Sequence, residues 1–160
     1  ALFRSLGEEL KNIQIFVELE QLRFKNKFDF IIKQSDTVDL QWMVPAMIFQ
    51  NYVENAVKHG LQPLLDKKGI LQLELTTDES FLLIFIRDNG PGKTIHYKSQ
   101  YSTGNGLLLM EKYFALLDDL CNFKIVHETR VLIDEKQIPC GTEVRLKLPL
   151  SFIKKQKSNG

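Results

Sequence analysis

Phe81-Leu82-Leu83-Ile84-Phe85-Ile86-Arg87-Asp88-Asn89-Gly90-Pro91-Gly92 runs from an unbroken apolar stretch straight into an acidic, glycine-rich turn. The apolar residues predict a central strand buried on both faces. Asp88, at its end, can accept a hydrogen bond from an exocyclic amino group, and a bond to a charged group is worth roughly 1.5–3 kcal/mol. Gly90 and Gly92 let the backbone approach a flat ligand closely. Asn-Gly and Pro-Gly are also ordinary turn signals, so the stretch alone does not separate a site from a plain turn.

Upstream lies Gln50-Asn51-Tyr52-Val53-Glu54-Asn55-Ala56-Val57-Lys58-His59-Gly60. The spacing predicts a helix with Pro45 in its first turn and Gly60 as a left-handed stop. Asn51, Asn55 and Lys58 fall at i, i+4 and i+7 and form one polar stripe. An amide carbonyl suits a hard cation such as Mg²⁺, and Lys58 offers a point charge for phosphate. An ordinary solvated face explains the stripe equally well.

Downstream, Ser102-Thr103-Gly104-Asn105-Gly106-Leu107 opens another helix. Exposed N–H groups at a helix start, reached through glycines, bind phosphate, although a simple Ser or Thr cap has the same appearance. Gly141-Thr142 before the last strand is weaker still.

The rest of the chain supplies the frame. Ser5 and Glu8 have capping-box spacing, and Leu6, Leu10, Ile13 and Val17 recur at helical spacing, so residues 6–23 form a helix. Alternation marks strands over residues 27–34, 69–75 and around Val144, Leu146 and Leu148. Two further short strands are expected at residues 122–127 and 131–133, joined to the last one by a polar turn at 134–141. The tail after Pro149 is expected to fray. The expected class is α+β, a two-layer sandwich with helices on one face of a mixed, mostly antiparallel sheet.

With Lys+Arg 21 against Asp+Glu 20, the charge balance argues against a nucleic-acid footprint. The two cysteines have no metal-ligand spacing and need no disulfide framework. No run of about 18 apolar residues exists. The first residues already have the pattern of a helix interior, which points to a piece of a longer protein.

In order and spacing these parts resemble the gyrase–histidine kinase–MutL superfamily, whose ATP-binding domain is the Bergerat fold. Residues 51–59 look like its N box, 88–92 its G1 box and 104–107 its G2 box; the resemblance covers residues 28–150. Phe16-Val17-Glu18-Leu19-Glu20-Gln21-Leu22-Arg23-Phe24, Val53-Glu54-Asn55-Ala56-Val57-Lys58-His59-Gly60 and Gly104-Asn105-Gly106-Leu107-Leu108-Leu109-Met110-Glu111-Lys112-Tyr113 are similar to LytS-type sensor histidine kinases.

The resemblance implies cofactors ATP and Mg²⁺, with Asn55 holding the metal and Asn51 assisting. Lys58 and His59 would lie near phosphates or ribose. Asp88 would bind adenine, with Thr142 nearby through water. Gly90, Gly92, Gly104 and Gly106 would shape the pocket and lid, with Asn105 and Leu107 in the same G2 element and residues 93–103 as the lid. It divides the chain into the end of a helical dimerisation or linker region (1–26), an ATP-binding domain (27–152) and a frayed tail (153–160).

It further implies a homodimeric, membrane-anchored bacterial sensor with this domain in the cytoplasm, and a response-regulator receiver domain as partner. No direct nucleic-acid contact is expected. The three histidines, His59, His96 and His127, do not match a phosphoacceptor, so none of the chain's residues is expected to be catalytic in that sense and the fragment should not autophosphorylate. A gyrase- or MutL-like ATPase is disfavoured, because the general-base Glu of those enzymes is matched here by Asn51. A non-catalytic docking module of the same fold is the third alternative.

Overall fold

The amide of Glu8 donates to Ser5 Oγ at 3.2 Å, so the first helix is capped where its sequence predicts. In this computed structural model residues 2–92 and 105–155 are described, the side chains of residues 105–107 excepted. The order is β1 (Phe3–Ser5), α1 (Leu6–Arg23), β2 (Phe28–Gln34), β3 (Met43–Pro45), α2 (Gln50–Asn55), a π-helical segment (Ala56–Leu61), β4 (Gly69–Thr77), β5 (Phe81–Asp88), α3 (Asn105–Cys121), β6 (Val126–Ile133), β7 (Pro139–Pro149) and α4 (Leu150–Lys155).

Five strands form one mixed sheet in the order β2-β4-β5-β7-β6. The β2–β4 pair is parallel and the other three pairs are antiparallel. Strands β1 and β3 form a separate antiparallel pair. The hairpin between β4 and β5 is tight because Asp78 Oδ1 accepts from the amides of Ser80 and Phe81 at 2.8 and 2.7 Å.

The core lies between one face of the sheet and the helices. Leu71, Leu73 and Leu75 of β4, Leu82, Ile84 and Ile86 of β5, and Leu146 and Leu148 of β7 are buried there. Leu6, Leu10, Ile13 and Val17 of α1, Val53 and Val57 of the second helix, and Met110, Phe114 and Leu117 of α3 face them. This is the two-layer α+β sandwich that the alternation predicts.

Four expectations are corrected. Pro45 closes β3 opposite Phe3 instead of opening a helix. The strand pairing pins residues 43–45, and Met47, with φ +65°, interrupts any helix running on from Pro45. Strand β5 is buried on one face only. Among the described residues Phe81, Leu83, Phe85 and Arg87, on the other face, are only half-buried. Arginine side chains partly cover that face instead: Arg87 and Arg145 lie over the Phe85 ring at 4.7 and 5.3 Å.

In place of the two short strands expected at 122–127 and 131–133 there is one strand, β6, over Val126–Ile133, and residues 122–125 are not strand. Asn122, with φ +53°, ends the helix, and pairing with β7 carries the strand through the polar Glu128-Thr129-Arg130. The polar residues fit because this is the edge of the sheet. The segment after Pro149 is helical through Lys155, with Leu150 and Ile153 buried. Phe152 stacks on Phe123 at 4.2 Å, which anchors what the composition marks as a loose end.

On the open face, Glu143 is 2% exposed and accepts from Arg87 at 2.6 Å, Arg130 at 2.9 Å and Arg145 at 3.3 Å. Burial alone would raise its carboxyl, but the Arg87 and Arg130 hydrogen bonds hold it below the ordinary value. This network locks β5, β7 and β6 together at the end of the sheet that carries Asp88.

Candidate functional site

Asp88 is the last residue of β5 and points to the helix side, where it is 6% exposed. Three glycines surround it. A Cβ on Gly60 would lie 2.6 Å from Asp88 Cγ, and one on Gly141 would fall 2.1 Å from the Asp88 carbonyl oxygen. A Cβ on Gly90 would lie 2.3 Å from the carbonyl oxygen of Gly60, so the second helix and the acidic turn touch backbone to backbone.

Burial raises the Asp88 carboxyl to about 6; hydrogen bonds from the amides of Gly90, at 2.9 Å, and Thr142 hold it from going higher. Asn89, in the same turn, has a structural role. Its Oδ1 accepts from the Ile70 amide at 2.7 Å and its Nδ2 donates to the Lys68 carbonyl at 3.2 Å, tying the turn to the start of β4.

A narrow cleft of about 20 Å³, open to solvent on one side, lies beside Asp88 between the second helix and the sheet. Tyr52, Asn55 and Ala56 line it from the helix; Ile86, Asp88, Thr129, Thr142 and Val144 line it from the sheet. Small apolar walls with a few convergent polar groups suit a flat, partly polar ligand.

No family model matches the chain. The sensor protein LytS of Oceanobacillus iheyensis is 31% identical over 115 residues, which are 65% of this chain and 19% of that protein. The sensor histidine kinase BtsS of Escherichia coli is 27% identical over 110 residues, 69% of this chain and 19% of its own length. The chain thus spans about a fifth of the length of the relatives it matches. Among solved structures, the mycobacterial sensor histidine kinase MprB superposes with a TM-score of 0.61 at 16% identity, over 92% of this chain and 97% of that one. The catalytic domain of the histidine kinase ThkA gives 0.58 at 17% identity, over 92% and 93%.

In sequence the chain is similar to sensor histidine kinases. At such low identity the solved structures speak for the fold, and the fold is that of histidine kinase catalytic domains.

Within this kinase fold, the residues predicted from sequence separate into groups. Asn55, Asp88 and Thr142 meet in the cleft, and Gly90 packs beneath it. Gly92, at φ +71°, adopts a conformation that favours glycine and turns the chain beside Val131 and Pro139. Asn51 is half-buried and is not among the residues lining the cleft. Lys58 is exposed in a different groove of about 340 Å³, between Phe16, Glu20 and Arg23 of α1 and Glu54 and Gln62.

The single stripe of Asn51, Asn55 and Lys58 is therefore not formed. From Ala56 the helix is π-helical, with the Gln62 amide bonding the Val57 carbonyl at 2.9 Å. Five-residue hydrogen-bond spacing makes each residue advance less around the axis, so Lys58 is rotated off the line through Asn55. His59 is half-buried beside it. Gly60 lies inside this segment and is no left-handed stop.

Gly104 and the lid at residues 93–103 lie outside the described residues; Asn105, Gly106 and Leu107 form the start of α3.

Among the described residues no three His, Cys, Asp or Glu side chains cluster as a metal site. The donor set fits Mg²⁺ only as an ion carried mainly by a ligand's own oxygens and water, with an amide such as Asn55 adding one contact. Tyr52, Ala56, Thr129 and Val144 are cleft residues that the motifs do not mark. Tyr52 and Ala56 follow from their helix phase beside Asn55. Thr129 and Val144 are opposite each other across β6 and β7, a register no local pattern reveals.

Proposed function

We propose that this chain is the ATP-binding catalytic domain of a two-component sensor histidine kinase, holding Mg-ATP for transfer of its terminal phosphoryl group to a histidine supplied from outside these residues, and thence to a response-regulator receiver domain. The observation that carries the reading is a carboxylate kept 6% exposed at the end of a cleft whose backbone walls meet through glycine. The carboxylate accepts from the Gly90 and Thr142 amides and keeps acceptor capacity for a ligand donor such as the amino group of adenine. Asn55 stands in the same cleft, where its carbonyl would complete the metal's shell and orient the triphosphate. Phosphoryl transfer is mostly positioning and charge neutralisation, so such a domain needs no nucleophile of its own.

Other observations agree. His127 is half-buried on β6, its ring edge-on to Phe114 at 5.4 Å, which suits packing and not phosphate acceptance. In the motif resemblance Asn51 takes the position of the water-activating Glu of the ATPases, and an amide cannot serve as that base. A crystal structure shows the related-fold kinase ThkA in complex with the response regulator TrrA, and this supports the same partner class here. Among the described residues no helix is long and apolar enough to cross a membrane. We place the domain on the cytoplasmic side of a membrane-anchored, homodimeric sensor.

Titration with a non-hydrolysable ATP analogue and Mg²⁺ tests the reading. Binding is expected in the micromolar to millimolar range, with adenine preferred over guanine. No binding at millimolar ligand would replace it by a docking module, and steady phosphate release by the isolated domain would replace it by an ATPase.

A further inference from the structure

Tyr52 is a cleft residue that neither the motifs nor the roles above account for. It is 2% exposed, stands one helical turn before Asn55 and Ala56, and lines the cleft together with Asp88 and Thr142. Among the described residues its hydroxyl has no hydrogen-bond partner. A buried phenol ordinarily finds one, and a phenyl ring would fill the same volume without stripping water from an oxygen.

We propose that the Tyr52 hydroxyl recognises the base of the bound nucleotide, donating to a purine ring nitrogen while Asp88 accepts from the amino group beside it. The inference rests on the ATP-binding reading of this cleft and deepens it by naming a second base-recognition group. An ionised carboxylate can only accept, whereas a protonated phenol can donate. Adenine offers an amino donor next to a ring-nitrogen acceptor; guanine puts a carbonyl oxygen where adenine has its amino group. One acceptor and one donor in the same cleft therefore complement adenine and oppose guanine.

Calorimetric titration of the wild-type chain and Tyr52→Phe with adenosine, ADP, a non-hydrolysable ATP analogue and GTP, all with Mg²⁺, tests this. Tyr52→Phe is expected to lose roughly 3- to 10-fold in affinity for all three adenine ligands alike. Its preference over GTP should narrow, and without ligand it should melt no lower than wild type. Loss for the ATP analogue with adenosine unchanged would move the hydroxyl to the phosphates and overturn the base assignment. Unchanged affinity for every ligand would overturn it too, and a lower melting point with unchanged affinity would reduce the hydroxyl to a structural role. A wild-type chain that binds no adenine ligand at all removes the ATP reading and this inference together; one that binds normally while Tyr52→Phe binds equally removes the inference alone.

Discussion

The glycines around Asp88 create a conflict between stability and binding that can be measured. Its carboxyl rises from an ordinary 3.8 to about 6 through burial. A folded-state value above the unfolded one means the native state holds the proton more tightly. The stabilisation is fully present below about pH 4 and is lost as pH rises through about 6. At pH 7 the buried charge costs on the order of 3 kcal/mol. Asp88→Asn should therefore be more stable than wild type at pH 7, by about 2–3 kcal/mol in urea unfolding, with the gap closing near pH 4. The same variant should bind adenine nucleotides much more weakly. In the wild type, nucleotide affinity should fall as pH drops below about 6, by up to about tenfold per pH unit, because a protonated acid no longer offers the acceptor pair. A pH-independent affinity between pH 5 and 7 would mean that Asp88 does not touch the ligand. The Asp88-x-Gly90-x-Gly92 pattern was visible in the sequence, but its strained electrostatics was not. That depends on Gly60 and Gly141, which lie 28 and 53 positions away and meet Asp88 only in space.

Among the elements, the second helix differs most from its sequence pattern. Period and polar stripe predict one α-helix over residues 45–60, whereas the chain makes six α-helical residues and then a π-helical segment. The break serves packing. Gly60 must come within contact of Asp88 and Gly90, and the wider turn sets it there while directing Lys58 to the groove beside α1. Replacing a helical glycine by alanine ordinarily gains about 0.5–1 kcal/mol. Gly60→Ala should do the reverse, losing about 1–3 kcal/mol by overpacking against Asp88 and lowering nucleotide affinity; thermal melting with and without the ATP analogue measures both. Helix α4 is the opposite case, a segment whose sequence promises little. Lys154, Lys155 and the polar residues after them give the composition of a loose tail, yet Ile153 is fully buried and Phe152 joins Phe3 and Phe123 in one aromatic cluster. Ile153→Ala should cost about 2–4 kcal/mol in chemical denaturation. A cost under about 0.5 kcal/mol, the range of surface substitutions, would mean that α4 does not stay docked in solution.

For the whole molecule, alternation and helical period were enough to predict a two-layer sandwich with its helices on one side. Apolar side chains must leave water, and a strand of period two beside a helix of period 3.6 leaves few ways to do so. Strand order was out of reach of such patterns, since β2-β4-β5-β7-β6 is decided by which edges meet after the chain has folded back. The half-buried second face of β5 was equally hidden. An apolar run has the same sequence whether a helix or a pair of arginines covers it, and here Arg87 and Arg145 lie on Phe85 while Glu143 binds both. Taken alone, the sequence determined the chemistry available: an acid at a strand end, amides on a helix, and glycines where backbone must come close. Only the tertiary structure decided which of these share a cleft. It joined Asn55, Asp88 and Thr142, separated Lys58 from them, and added Tyr52. Local periodicity sets which way a side chain faces along its own element, but the distance between elements is set by packing, and a binding site is made of those distances.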